Sequence, residues 1–162
     1  MKRITTIGAY GFTESGFITA LRAAGVDTFV DVRQRRGMRG ARYAFLNSRR
    51  LQDLLRASGL NYVYAPELAP STRVRDAQRE ADSDSATTKR GRIELSPVFV
   101  SRYKSEVLAG VDFAAFEHRV KDAAVIALFC VEGNPAACHR SIAAAYLAAQ
   151  YGLEMPVKHL TP

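Results

Sequence analysis

Residues 125–129, VIALF, form a short apolar run that stops at Cys130-Val131-Glu132-Gly133, and Asn134-Pro135 then opens a second apolar stretch that continues to residue 151. An apolar run of this length bounded by turn residues is the pattern of a buried strand. Asparagine as N-cap with proline at the first helical position is the pattern of a helix start. A fully apolar strand joined by a short turn to a helix belongs in a parallel sheet covered on both faces. The same unit recurs upstream. Residues 4–8 read as a strand ending in Gly8, and Thr13 caps a helix through residue 24 that Gly25 stops. Residues 27–32 (DTFVDV) and 61–64 (NYVY) read as further strands. Between them Asn47 or Ser48 caps a helix that ends at Gly59. Ser96-Pro97 starts a helix toward residue 109, Asp112 caps another, and residues 156–160 read as a last strand. This alternation predicts a single three-layer α/β domain, Rossmann-like, with a mainly parallel sheet flanked by helices. Residues 69–93 break the rhythm. Segment 76–90, DAQREADSDSATTKR, has almost no large apolar residue and is expected to be a polar surface excursion, partly helical or mobile.

A chain of 162 residues is the size of one domain, and its 48% apolar content is enough to bury a core. No apolar run reaches membrane-spanning length. Met1-Lys2-Arg3 leads straight into a strand-like segment, so no leader is expected, and two cysteines without secretory context suit a reduced, cytoplasmic protein. The net charge of +7 favours an anionic partner, either a phosphorylated small molecule or nucleic acid.

In a parallel sheet all strand C-termini share one edge, and the crevice there is the default ligand site. The residues just past each strand are Gly8, then Asp31 and Arg33, then Glu67, then Cys130 and Glu132, followed by Cys138, His139 and Arg140. Their convergence predicts one functional pocket.

At these positions the sequence resembles the domain of unknown function 488 family over almost its whole length. The matching pieces are Thr6-Ile7-Gly8, Val30-Asp31-Val32-Arg33, Pro66-Glu67-Leu68, Cys130-x-Glu132, Cys138-His139-Arg140-Ser141 and Val157-x-His159. The resemblance implies a compact α/β domain and leaves its activity unassigned. Members usually carry a histidine after the first-strand glycine, where this chain has Ala9 and Tyr10. They also have a Pro-Ser character after the arginine corresponding to Arg33, and a glycine where Ala69 stands.

Each candidate has a functional reading and a plainer one. Cys138, read as lying in the first turn of the Pro135 helix, is a candidate nucleophile favoured as thiolate by the helix dipole and Arg140; otherwise it is a small packing residue. Cys130 is a second candidate nucleophile or core. Glu132 and Glu67 facing each other across the crevice would serve as acid and base, and otherwise they pair with Arg33 or Arg140. Consecutive helical residues do not face each other, so His139 is expected to reach Glu132 or Glu67 rather than Cys138, or else a loop carbonyl. Arg33, Arg140 and Ser141, with Gly8 and Asp31, are candidate ligand-binding residues, although Asp31 also suits a role in pinning Arg33. Nine residues separate Cys130 from Arg140, which enlarges the loop beyond the snug phosphate cradle of the cysteine phosphatases. Seven residues separate Cys130 from Cys138, a spacing that matches no structural zinc pattern, so no metal and no cofactor is expected.

Residues 33–50 hold seven arginines and no acid. Arg35, Arg36, Arg39 and Arg42 beside Tyr43 suit a phosphate backbone or single-stranded bases, and otherwise form a solvated loop. Two functions therefore stand. The first is an enzyme-like domain that binds a phosphate-bearing ligand at the strand C-termini. The second is a non-catalytic nucleic-acid-binding module that uses the arginine loop. Whether the chain is an enzyme stays open at this level.

Overall fold

The five strands β1 (Arg3–Ile7), β2 (Thr28–Asp31), β3 (Asn61–Tyr64), β4 (Val125–Phe129) and β5 (Lys158–Leu160) form one all-parallel sheet in the order β3-β2-β4-β1-β5. This computed structural model describes residues 1–88 and 91–162; Lys89 and Arg90, the end of the polar segment 76–90, lie outside the described residues. β4 is central, with Ile126 and Leu128 opposite Ile4 and Thr6 on one side and opposite Thr28 and Val30 on the other. The unbroken apolar run of β4 follows from that position, because side chains on both of its faces must be buried.

The helices divide between the two faces. α1 (Glu14–Ala23) and α2 (Ser48–Ala57) cover one face. There Phe17, Leu21, Leu51 and Leu55 pack on Ile7, Phe29, Ala127 and Phe129. Phe17 sits at the centre, with Phe12, Phe29, Phe45 and Phe129 rings at 5.6–5.9 Å in edge-on contact. The opposite face carries α3 (Thr72–Asp84), α4 (Pro97–Arg102), α5 (Phe113–Arg119) and α6 (His139–Gln150). Their Val74, Phe99, Phe116, Ala143 and Leu147 meet Ile4, Val30, Ile126 and Leu128. This is the three-layer α/β architecture.

Several signals act as the sequence suggests. Thr13 accepts from Gly16 N at 3.1 Å, Ser96 from Phe99 N and Asp112 from Ala115 N, and Gly25 takes φ +67° after α1. Asn47 precedes α2, but its side chain accepts from Met38 N at 2.6 Å and so anchors the arginine loop instead of capping the helix. Within the polar segment after residue 69, Thr72–Asp84 form α3, the longest helix among the described residues, capped by Ser71, which accepts from Val74 N. Val74, Ala77 and Gln78 at i, i+3 and i+4 are buried, so α3 is part of the core with its arginines facing outward.

The one large departure lies after β4. Pro135 does not open a long helix. Pro135–Ala137 is a single 3-10 turn, and Cys138 returns to extended backbone (φ −138°, ψ 136°) as the N-cap residue of α6. Asn134 uses its side chain to accept from Ala136 N and to donate to Ile93 O, closing that short turn.

Chains leave β2 and β4, neighbours in the sheet, in opposite directions: β2 toward β3 through α2 on one face, β4 toward β5 through α6 on the other. The gap between their C-terminal ends is therefore the topological switch point, where an open α/β sheet forms its crevice.

Candidate functional site

The loop after β4 forms the floor of this crevice, and main-chain crowding fixes its course. Val131 O accepts from Ala9 N and Tyr10 N at 3.0 and 3.2 Å, so the loop lies on the chain leaving β1. At Gly8 a Cβ would stand 2.2 Å from Glu132 O, a backbone atom, so only glycine allows that approach. Arg140 closes the arrangement from α6. It is 1% exposed. Its Nη1 donates to Glu132 O at 2.5 Å, its Nη2 to Gly133 O at 3.0 Å and its Nε to Thr6 Oγ1 at 3.4 Å. Ser141 Oγ donates to Pro135 O at 2.6 Å. Gly8, Arg140 and Ser141, read from sequence as ligand-binding, are thus engaged in holding the loop.

Arg33 is engaged in a similar way. It is 2% exposed beside a fully buried Asp31. Nε and Nη2 donate to Asp31 Oδ1 and Oδ2 at 2.9 and 2.8 Å, Nη1 donates to Leu46 O, and the guanidinium lies 4.6 Å from the Phe129 ring centroid. Tyr62 OH donates to Asp31 Oδ2 at 2.9 Å. A bidentate buried pair with each guanidinium nitrogen engaged is a structural tie between β2 and the arginine loop. Glu67 pairs with Arg119 of α5 and is not among the residues that line the crevice.

What the loop does bring together is Cys130, Glu132, Cys138 and His139. Both Cys130 Sγ and Cys138 Sγ lie 3.3 Å from Glu132 Oε2, and both lie 3.9 Å from His139 Nδ1. The cysteines are free thiols, buried with His139. The expectation that Cys138 and His139 cannot meet rested on both being helical. Cys138 is extended, and its side chain turns to the Nδ1 side of the next residue. The other ring nitrogen, Nε2, lies 3.3 Å from Val32 O. Tyr103 packs edge-on against the ring and donates its own hydroxyl to Leu68 O at 2.6 Å.

The electrostatics of the cluster are asymmetric. Hydrogen bonding with Cys138 and then burial push the Cys130 thiol well up. Burial acts upward on Cys138 too, but hydrogen bonds from Cys130 and His139, with the His139 charge, outweigh it and bring the thiol down to about 5. Burial acts downward on His139, and its hydrogen bond and charge contact with Cys138 overcome that and raise it. These shifts favour the thiolate at Cys138 and the charged ring at His139, beside a Cys130 favoured as thiol. A thiolate so placed is both a nucleophile and a soft metal ligand.

Above this floor is a cavity of about 330 Å³. Among the described residues, its lining includes five arginines, Arg33, Arg35, Arg75, Arg79 and Arg92, and one carboxylate, Glu132. Asp31, Asp76 and Asp82 neutralise Arg33, Arg79 and Arg92. Arg75 is held by neutral acceptors, the Gln34 side chain, Pro70 O and Thr72 Oγ1. Burial lowers Arg75 most, followed by repulsion from Arg79 and Arg35. Such mutual repulsion marks a pocket that a bound anion would relieve. Arg75, Arg79 and Arg92 were not singled out from sequence. The signal was present in the i, i+4 spacing of Arg75 and Arg79 opposite a buried Val74-Ala77-Gln78 face.

In the arginine loop, Arg35 lines the cavity, Arg36 stacks on Tyr64 at 4.1 Å and Arg42 lies 5.3 Å from the Tyr43 centroid. Tyr43 packs against Tyr10, and its hydroxyl accepts from Gly11 N. Arg39 is exposed. Among the described residues, no helix is long and apolar enough to cross a membrane.

The family model for Domain of unknown function DUF488 matches residues 15–147, most of the chain, and the chain belongs to that family. No curated protein and no solved structure matches.

Proposed function

We propose that this DUF488 domain is an enzyme-like module that binds a phosphate-bearing ligand between α3 and the β4–α6 loop, with the reacting group of the ligand over Cys138 and His139. The observation that carries this reading is the pairing of an arginine-lined cavity with a floor of two sulfurs, an imidazole and a carboxylate. The anion-binding role falls to Arg75 and Arg35, which line the cavity and have no carboxylate ion pair among the described residues. Guanidinium forks match phosphate oxygens in shape and charge. The cavity volume suits a small phosphorylated molecule.

The test is titration of inorganic phosphate and of a nucleoside monophosphate into the wild type, Arg75→Ala and Arg39→Ala. Arg75→Ala should weaken both by about tenfold or more, since charge-assisted bonds contribute roughly 1.5–3 kcal/mol. Arg39→Ala should leave them unchanged. Equal affinities in all three proteins would refute the pocket.

A second reading keeps one observation in its favour: Arg35, Arg39 and Arg42 are exposed on one loop beside Tyr43. A single strand of nucleic acid bound there would lose affinity steeply with salt and would respond to Arg39→Ala and Arg42→Ala.

A further inference from the structure

We infer that Cys130 Sγ, Cys138 Sγ and His139 Nδ1 hold a zinc-class divalent cation, with Glu132 Oε2 at the fourth corner facing the arginine pocket. This goes beyond the phosphate reading and does not rest on it.

The geometry comes first. The three donor atoms all lie within 4.8 Å of one another, and each sulfur is 3.9 Å from Nδ1. A tetrahedral zinc with Zn–S of about 2.3 Å and Zn–N or Zn–O of about 2.0–2.1 Å separates its donors by roughly 3.4–3.8 Å. Each sulfur is also 3.3 Å from Glu132 Oε2. Shifts of about an ångström or less in these separations would bring two sulfurs, a nitrogen and an oxygen around one centre.

The tautomer is the second observation. His139 Nε2 lies 3.3 Å from Val32 O, a carbonyl that accepts a proton and donates none. Nε2 is thus the protonated nitrogen, and in the neutral ring the Nδ1 lone pair points at the sulfurs. A backbone carbonyl on the remote nitrogen is the usual outer partner of a metal-bound histidine. The chain also holds these donors rigidly. Arg140 and Gly8 fix the loop bearing Cys130 and Glu132, and the N-cap conformation of Cys138 places two consecutive residues on one centre. That conformation is why the linear spacing of the cysteines gave no sign of a site.

Donor chemistry agrees: soft thiolate and imidazole donors favour zinc over magnesium or calcium. On binding, any protons on the two sulfurs and on Nδ1 pass to solvent, two metal–sulfur bonds form, and nothing is oxidised or reduced.

The experiment is cobalt titration of chelator-stripped protein kept with a phosphine reductant, followed by zinc. The wild type should take up about one cobalt per chain, with tetrahedral ligand-field bands and thiolate-to-cobalt charge transfer, and zinc should bleach both. Cys130→Ser and Cys138→Ser should each lose the charge-transfer intensity of one sulfur. Their cobalt affinity should fall by more than the ~10–100-fold that a lost outer partner costs. A wild type that remains folded by circular dichroism and shows no charge-transfer band would overturn the inference without any variant. So would serine variants that bind cobalt as tightly as the wild type. Arg75→Ala separates the two proposals, since it should keep the cobalt spectrum and lose phosphate. Phosphate binding without cobalt would sink the metal site alone, and cobalt binding without phosphate would sink the anion pocket alone.

Discussion

Arg33 and Arg140 are among the most deeply buried polar side chains of the protein, and each nitrogen of both guanidinium groups has an acceptor within the chain. Each converts charge into position. Arg140 fixes the carbonyls of Glu132 and Gly133, which aims the Glu132 side chain at the sulfurs. Arg33 donates through each of its three nitrogens, to Asp31 and to Leu46 O. Removing one partner of such a pair leaves an uncompensated buried charge, whereas the intact pair contributes little net stability. Asp31→Ala should therefore cost about 3–5 kcal/mol in urea unfolding with an unchanged slope. A loss below ~1 kcal/mol would mean that the pair is solvated and interchangeable with a surface bridge. Tyr62, which donates to the same carboxylate, would lose its partner in this variant as well.

At the level of elements, the β4–α6 junction is where the sequence was hardest to read. Strand positions, caps at Thr13, Ser96 and Asp112, and the parallel alternation were legible because each depends on neighbours within a few residues. The break at Cys138 was not, because Asn134-Pro135 followed by alanines satisfies every local rule for one continuous helix. What stops it is tertiary: Asn134 is tied to Ile93 O, Ser141 to Pro135 O, and Arg140 to the loop. α3 was obscured for the converse reason, since its polar composition hid three buried positions with helical spacing. Glu67 followed the right strand but turned to Arg119, a partner that no local pattern announces. That Cys130, Glu132, Cys138 and His139 lie together past β4 was legible, while their mutual contacts were not. Gly8 tests this junction. Gly8→Ala puts a methyl against Glu132 O and must displace the loop, at a cost of about 1–3 kcal/mol. It should weaken phosphate binding while leaving far-UV dichroism intact, and binding equal to the wild type would show that the loop position is not required.

For the whole molecule, strand order decides where chemistry is placed. Because β2 and β4 send their chains to opposite faces, α2 and α6 diverge above the sheet and leave a crevice that neither covers. α3 closes it from the side with arginines, in a chain of net charge +7. The central claim is that one pocket combines an anion site with a reactive thiolate. It is tested most directly by peptide-resolved alkylation of the metal-free, reduced protein across pH 5–9, with and without inorganic phosphate. A thiol at about 5 is already deprotonated in most of this range, so Cys138 labelling should vary little above about pH 6, following the thiolate fraction. Cys130, pushed up, should label slowly until alkaline pH. Phosphate should slow Cys138 in the wild type and have no effect in Arg75→Ala. Slow, equal labelling of both cysteines that rises only above pH 8 and ignores phosphate would contradict the account.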